Sequence, residues 1–364
     1  MFIASLLIFS TSEPPRSVRD NRDIVFAAEY FRHTNKVVEG ERTLARLGPS
    51  HLYRIRHDGT GRIQITSGPY DDFNPAWSPD GSRIAFLRGF PANQATLCIV
   101  DEAGKQVQKF LPWPDDVYEY GRLRWSPDGT KIAVEASLQF NVVDLKTSVL
   151  TTRDCWDGFA WSPDSRHIIY TTVQDNKSED PFDRPMVTSV LDLSTGAVKS
   201  FPRSVKWPNW PTLQSVWTLV QSEKGVQLQT MGVDGSASVV TPVKEFSFGE
   251  DDPGYSLGEG FNWYPFPHDP QKFALEFLHG MSDGRHPSCA IFDAASHELK
   301  YVRPGQLLGI SKDGRLLASC ELKWEGPYKR GGERVGPILV TNLKSRRAVA
   351  ITSKMGAVHG GDWR

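Results

Sequence analysis

The sequence has few cysteines, no excess of charge of either sign and no hydrophobic run long enough to cross a bilayer. Its 364 residues include 4 cysteines, and these are too far apart for the short cysteine pairs that hold metals or for a disulfide framework. Lysine and arginine number 42, against 43 aspartates and glutamates. Because no overall field favours nucleic acid or acidic lipid, we expect neither nucleic-acid binding nor membrane insertion.

The amino-terminal residues form a short apolar run, from Met1 to Phe9, followed by polar residues. The run is compatible with the remnant of a secretory signal. Against that interpretation, no lysine or arginine precedes it and no clear small-residue cleavage site follows it. We predict a tail over residues 1–18 and a single domain over residues 19–364. We also predict a periplasmic or secreted location, with the cytoplasm as the alternative.

A Trp-Ser-Pro-Asp segment followed by a short apolar strand recurs along the chain. Sharp copies stand at Trp77–Gly81, Trp125–Gly129 and Trp161–Ser165, and a worn copy stands at Ile310–Gly314. In the sharp copies proline presets φ near about −65° at the second position of a type I turn, and serine and aspartate cap the turn. Each copy therefore predicts a tight hairpin turn between two strands.

The unit that repeats has four strands, because each hairpin is followed by a third strand ending in aspartate and a fourth after a loose turn. Four strands repeating every ~40–50 residues are typical of a β-propeller blade. One position of the repeat is marked by seven anchor residues: Trp77, Trp125, Trp161, Trp210, Trp263, Ile310 and Trp363. We therefore predict an all-β fold, a single β-propeller with seven four-stranded blades. Six blades is the alternative, since the Trp210 unit is the least legible.

The two ends of the chain are predicted to share one blade. The last anchor, Trp363, is next to the carboxyl terminus, while Asp20–Phe26 matches the second half of a hairpin. An inner strand from about His359 to Trp363 would join three strands from the amino-terminal segment. This velcro closure would remove a free sheet edge.

The repeat carries a resemblance to a known family. Trp-Ser-Pro-Asp-Gly followed by Ile-Ala-Phe, as in Trp77–Phe86, resembles the repeat of the TolB-type propellers, which are similar to WD-repeat rings. The resemblance covers nearly the whole chain and implies a propeller. The family includes periplasmic scaffolds, propeller domains of prolyl oligopeptidase-type peptidases and some sugar lyases, so it implies a fold more than an activity. Seven blades use nearly all 364 residues, and we expect no added hydrolase domain.

The long loops are predicted to lie on one face of the ring. If the strands of a blade are A to D from the axis outward, the A–B and C–D turns are short and define a tight-turn face. The B–C and D–A connections define a long-loop face, and the inserts there are 31–49, 173–185, 245–260, 278–287 and 322–337. Long loops on a rigid scaffold are where binding residues usually stand.

Aromatic and cationic residues in these connections are the candidate binding residues: Trp324, Tyr328, Lys329, Arg330, Trp113, Trp156, Trp207, Trp210 and Tyr255. The first four share one insert, which suits the anchoring of a partner or stacking on a sugar ring; a plain solvated loop is the competing interpretation. The tryptophans before inner strands would rim the pore mouth and favour a peptide or a glycan. The tryptophans of the sharp repeats are interpreted instead as spacers packed between blades.

Metal binding and catalysis have weaker support. Acidic residues recur before inner strands, as at Asp71 and Asp72, and would suit Ca²⁺ if the ring gathered them, but no spacing matches a calcium loop and turn capping explains them as well. We predict no cofactor and assign no metal ligand. His33, His279 and His359 form too weak a pattern to assign catalysis. Gly254–Gly258 fits the nucleophile-elbow pattern without the required strand, turn and helix.

The sequence therefore favours a non-catalytic binding or scaffold protein. It would recognise a protein segment, or else a glycan, through the long-loop face and the pore mouth. The alternative is a lyase or hydrolase that acts on a glycan, with histidines and carboxylates gathered at the same mouth. The two differ in geometry: a closed pocket with clustered catalytic groups supports the enzyme, and an open aromatic surface supports the binder.

Overall fold

The computed structural model describes residues 23–38, 40–90, 94–112, 123–136, 138–156, 158–174, 185–201, 203–222, 225–234, 236, 238–244, 261–266, 268–281, 284–321, 323–325, 333–352 and 356–363. Every regular element among them is a β-strand. In these ranges no helix is long and apolar enough to cross a membrane.

Seven antiparallel sheets of four strands form the blades of a ring, so the predicted count of seven is confirmed and the six-blade alternative is wrong. From the axis outward, the strands are β31 (Gly356–Trp363), β1 (Asp23–Val38), β3 (His51–Arg56) and β4 (Ile63–Gln64) in blade 1; β5 (Asp71–Trp77), β6 (Arg83–Phe90), β7 (Gln94–Asp101) and β8 (Gln106–Pro112) in blade 2; β9 (Leu123–Trp125), β10 (Lys131–Ala136), β11 (Gln139–Asp144) and β12 (Leu150–Asp154) in blade 3; β13 (Phe159–Trp161), β14 (His167–Val173), β15 (Met186–Asp192) and β16 (Val198–Ser200) in blade 4; β17 (Asn209–Thr212), β18 (Ser215–Ser222), β19 (Gly225–Gly232) and β20 (Val239–Pro242) in blade 5; β21 (Phe261–Phe266), β22 (Asp269–Met281), β23 (Gly284–Asp293) and β24 (Glu298–Pro304) in blade 6; and β25 (Gln306–Ile310), β26 (Leu316–Cys320), β29 (Ile338–Asn342) and β30 (Ala348–Ala350) in blade 7. All seven anchor residues stand in innermost strands.

The ends of the chain close the ring in blade 1, as predicted. The innermost strand β31 pairs antiparallel with β1, from Ile24 opposite Trp363 to Tyr30 opposite Gly356. The strand begins at Gly356 rather than near His359. Because β1 continues into β3 and β4, the other three strands of this blade come from the amino-terminal segment.

Tight turns end the inner strands of blades 2, 3, 4 and 7. In blade 3 the buried Ser126 hydroxyl donates to Asp128 Oδ1 at 2.6 Å and accepts the backbone N–H of Lys131 at 2.9 Å. The worn turn of blade 7 keeps the same bond, from Ser311 Oγ to Asp313 Oδ1. The serine and the aspartate therefore hold this turn even where tryptophan and proline are lost.

The tryptophans of the sharp repeats lie between blades, as predicted. Trp77 packs in a cluster of blade 1 and blade 2 residues, and Trp125 packs in one of blades 2 and 3. The Trp125 indole donates to Ala76 O at 3.0 Å, and the Trp161 indole donates to Arg124 O at 3.4 Å. Each bond reaches the inner strand of the preceding blade, one residue before its anchor.

The cysteines are free and buried, which agrees with the prediction of no disulfide framework; they are Cys98, Cys155, Cys289 and Cys320. Burial raises the pKa of Cys320 to about 12 and raises the pKa of Cys289 well above its usual value. These thiols are therefore packing groups rather than nucleophiles.

Three neighbouring blades project hairpins from the long-loop face. In blade 1, β2 (Glu41–Arg46) pairs with the distal part of β1. In blade 6, β22 and β23 pair as far as Met281 opposite Gly284. In blade 7, β27 (Lys323–Glu325) pairs with β28 (Glu333–Val335). The inserts predicted as loops in these three blades are thus at least partly regular β structure.

Candidate functional site

A cavity of about 640 Å³ lies on the axis of the ring. It is bounded by inner strands of blades 1, 2, 3, 6 and 7. Its exposed lining comes from A–B turns, namely Asp80 of blade 2, His268 of blade 6 and Lys312 of blade 7. The cavity therefore opens on the tight-turn face, whereas the sequence places the binding residues on the opposite face.

An arginine crosses the axis beside this cavity. Arg124 in blade 3 donates from Nη2 to Oδ1 of Asn262 in blade 6 at 2.9 Å, and from Nη1 to Phe159 O in blade 4 at 3.4 Å. Blades 3 and 6 are not neighbours, so the bond to Asn262 is a chord across the ring. Blades 4 and 5 lie on one side of that chord, which explains why they contribute nothing to the cavity lining.

The carboxylates of the cavity wall are held by backbone amides. Glu276 is 3% exposed; its Oε2 accepts the N–H of Leu307 at 2.7 Å, and its Oε1 accepts Asn262 Nδ2 at 3.3 Å. Asp362 accepts the N–H of Trp77 at 2.8 Å across the boundary between blades 1 and 2. These bonds fix the side chains before any ligand arrives, since each carboxylate is tied to a strand of a neighbouring blade.

Aromatic rings complete the lining, which includes Trp77, Trp125, Trp263, Tyr264 and Trp363. The tryptophans are the interblade spacers, so only part of each ring reaches the cavity. The wall therefore combines apolar ring surface with fixed charges of both signs, the usual composition of a ligand pocket.

The polar residues of this site are missing from the sequence-based candidates. A signal exists in the repeat: the residue before each anchor is Ala76, Arg124, Ala160, Asn209, Asn262, Gly309 or Asp362. Four of these seven are polar or charged, although they occupy a strand position next to the core. Alignment of the repeats by their anchors would have identified this ring of positions around the axis.

Three predicted binding residues have described side chains. Trp156 and Trp207 are half-buried in D–A connections, on the long-loop face as predicted. Trp207 has φ of 43°, its carbonyl accepts the Trp263 indole N–H at 3.3 Å, and a Cβ at Gly158 would lie 3.2 Å from its ring. Trp210 is buried in β17, in a cluster formed by residues of blades 4 and 5.

The other candidates fall outside the described side chains. Trp113, Tyr255, Tyr328, Lys329 and Arg330 lie outside the described residues, and Trp324 stands in β27 with only its backbone described. Whether these side chains meet at the pore mouth stays a prediction.

The histidines considered for catalysis are on strands of two blades. His279 and His286 face each other as a cross-strand pair in blade 6. His33 is exposed in β1, and His359 stands in β31. For all of these except His33 only the backbone is described.

The acidic residues considered for Ca²⁺ are paired with arginines where they are described. Arg88 binds the fully buried Asp72 through two bonds of 2.6 and 2.9 Å, and these bonds raise the pKa of Arg88. Asp71 binds Arg46 and accepts the N–H of Ser50 at 2.7 Å. Among the described residues no group of three or more histidines, cysteines, aspartates or glutamates is placed to hold a metal ion. Asp115, Asp116, Glu119 and Glu250–Asp252 lie outside those residues.

Comparisons with known proteins agree on the architecture. No protein-family model matches the chain. The uncharacterized peptidase YuxL of Bacillus subtilis (strain 168) is 35% identical over 78 residues, so the match covers 21% of this chain and 11% of that protein.

Three solved structures resemble the chain at low identity. The tricorn protease has a TM-score of 0.56 at 12% identity, covering 93% of this chain and 36% of its own. An oligogalacturonate lyase in complex with manganese has a TM-score of 0.51 at 13% identity, covering 91% and 85%. TolB from Acinetobacter baumannii has a TM-score of 0.48 at 16% identity, covering 94% and 67%. Together with the Trp-Ser-Pro-Asp-Gly turns and the seven closed blades, these likenesses support a TolB-like β-propeller and establish the fold alone.

Proposed function

We propose that this chain is a non-catalytic binding protein that holds a protein segment in its axial cavity. The observation that carries the proposal is the cavity itself: about 640 Å³ of space, inside a rigid ring, lined by aromatic rings and fixed polar groups. Ligand pockets commonly measure ~300–1,000 Å³, which accommodates a few residues of extended peptide.

The charges in the wall favour a peptide over an acidic glycan. Arg124 and Lys312 stand in the same lining as Asp80, Glu276 and Asp362. A peptide offers donors, acceptors and charges of both signs, whereas a uniformly anionic glycan would meet repulsive carboxylates. Because the wall carboxylates are already hydrogen-bonded to the ring, little ordering is needed when a ligand enters.

We further propose that the long-loop face contributes a second set of contacts to the same partner. Trp156 and Trp207 are partly exposed there, and the insert that carries Trp324, Tyr328, Lys329 and Arg330 leaves from a neighbouring region of that face. A partner held by both faces would use the ring as a scaffold.

The test is a selection of phage-displayed random peptides against the immobilised protein, followed by fluorescence anisotropy with a selected peptide. Lys312→Glu reverses an exposed charge at the cavity rim, and we expect it to weaken binding about three- to tenfold. Arg315→Glu is the matched control, since Arg315 is exposed in the same turn but outside the cavity lining.

Two results would contradict the proposal. Equal binding by both variants and the unsubstituted protein would place the peptide elsewhere. Failure to select any peptide, with release of new reducing ends from an oligosaccharide panel, would instead support the alternative of a glycan-acting lyase or hydrolase.

A further inference from the structure

The strand β1 continues beyond its inner partner. It pairs with β31 as far as Tyr30 opposite Gly356. Its distal part, Phe31–Val38, pairs with β2. Since β2 and β3 follow one another along the outer side of β1, the other edge of Phe31–Val38 faces the axis. No strand of the described residues pairs with that edge.

The hairpin that carries this edge is firmly attached to the ring. At its base Phe31 and Leu44 pack against Val335 of blade 7 and Ala357 of β31. Thr34 and Thr43 share a hydroxyl hydrogen bond of 2.6 Å across the two strands. Arg46 at the end of β2 is ion-paired with Glu29 and with Asp71 of blade 2. The edge is therefore held in place beside the mouth of the channel on the long-loop face.

An unpaired edge presents a row of backbone N–H and C=O groups, which is a template for another strand. A peptide in an extended conformation can add to such an edge through main-chain hydrogen bonds. A strand added here would continue the line of β31 away from the ring, so its direction and spacing are already set by the existing sheet.

The charges of the hairpin indicate which strand fits. Arg32, Lys36 and Arg42 are exposed, and the acidic Glu41 stands near the tip. The exposed Val37 adds an apolar contact. Cations along an edge repel a second copy of the same hairpin and attract a strand that carries carboxylates.

We propose that the axis-facing edge of Phe31–Val38 accepts a strand from an acidic protein segment and thereby extends blade 1. This site goes beyond the axial cavity: it uses main-chain pairing, it stands on the opposite face, and it selects for negative charge. A partner bound there would cover the long-loop mouth of the channel.

The experiment uses the whole chain and a fluorescein-labelled ten-residue peptide in which glutamate alternates with valine, measured by anisotropy at physiological salt. Two further peptides carry N-methyl groups on either the odd or the even residues. Strand addition uses the N–H groups of alternate residues only. We therefore expect one methylated series to lose binding by more than about tenfold and the other to retain it.

Charge variants locate the site. Arg32→Glu with Lys36→Glu is expected to weaken the unmethylated peptide about tenfold or more. The matched control, Arg166→Glu with Lys344→Glu, changes the charge equally on exposed residues of the tight-turn face and leaves affinity unchanged. Circular dichroism melting shows that both variants remain folded.

Several results would overturn the proposal. Equal binding of both methylated series would show that charge alone attracts the peptide. Equal weakening by both double variants, or loss of binding in Lys312→Glu in place of the Arg32 and Lys36 variant, would remove the site from this edge. Tighter binding of an oligonucleotide or of anionic vesicles, with the same dependence on Arg32 and Lys36, would assign the hairpin to another class of partner.

Discussion

Single carboxylates hold the tight turns that shape the rim of the axial cavity. Asp80 accepts hydrogen bonds from the Ser78 hydroxyl, from the Ser82 backbone N–H at 3.0 Å and from the Ser82 hydroxyl at 2.8 Å. The Ser78 bond is the largest cause that lowers the pKa of Asp80, to about 2. Because the ionised form is bonded only in the folded state, this side chain links stability to pH.

We expect acid to destabilise the protein in part through this residue. The pKa of Asp80 falls from 3.8 to about 2 on folding. Its contribution is therefore fully present above pH ~4 and is lost as the pH falls towards ~2. In Asp80→Asn the side chain cannot ionise, so Tm should be lower than that of the unsubstituted protein at pH 6 and should decline less between pH 4 and pH 2. Melting curves across this range check it, and parallel declines would refute it.

Sequence predicts residues of the repeat but not residues that meet across the ring. The roles of Trp125 and Ser126 follow from local turn chemistry and from recurrence, and the structure confirms them. The bond between Arg124 and Asn262 joins positions 138 apart in blades that are not neighbours. No local pattern encodes such a contact, because it depends on the number of blades and on the angle at which each inner strand stands.

Short turns also fix how neighbouring blades pack. The turn between β7 and β8 places Gly104, at φ of 88°, against blade 1, and a Cβ there would lie 2.4 Å from Ile65 O. The corresponding turn between β15 and β16 has Gly196 at φ of 73° with nothing within 4 Å. Both glycines meet the same backbone requirement, but only Gly104 is also in close contact with another blade.

We expect these two glycines to differ when replaced by alanine. Gly196→Ala should cost about 1 kcal/mol, the strain of a left-handed alanine. Gly104→Ala should cost about 2–4 kcal/mol, because the methyl group must also displace the backbone of blade 1. The free energy of unfolding in urea measures both. Equal losses would mean that the turn between β7 and β8 does not bear on blade 1.

The projecting hairpins show where prediction from sequence stops at the level of elements. The lengths of the inserts and the face of the ring on which they lie follow from the order of strands. Their conformation does not, because residues such as Arg32, Asn35 and Arg42 are exposed and give no alternation of buried and exposed positions. The hairpin strands are held by their bases instead, as in the cluster of Phe31, Leu44 and Val335.

The whole ring depends on one pairing between its ends. The recurrence of anchors predicts seven blades and the shared blade 1, since a ring that left strands unpaired at its seam would expose a sheet edge. In the structure β31 contributes Ala357, Val358 and Trp363 to the buried core, and it is the innermost strand of that blade. The cavity and the β1 edge both border this strand, so binding at either site requires the closed ring.

Removal of residues 356–364 should therefore abolish cooperative folding. Loss of the buried Trp363 alone would cost about 3–5 kcal/mol, and the deletion also exposes the inner edge of β1 along its pairs from Ile24 to Tyr30. A domain is typically stable by only about 5–15 kcal/mol. Circular dichroism and calorimetry should show no sharp transition for the truncated chain. A chain that carries the same nine residues in scrambled order is the matched control for length, and it should fail in the same way because the scrambled strand no longer places an apolar anchor between blades 7 and 1. An unchanged melting transition in either variant would show that the ring holds without this closure.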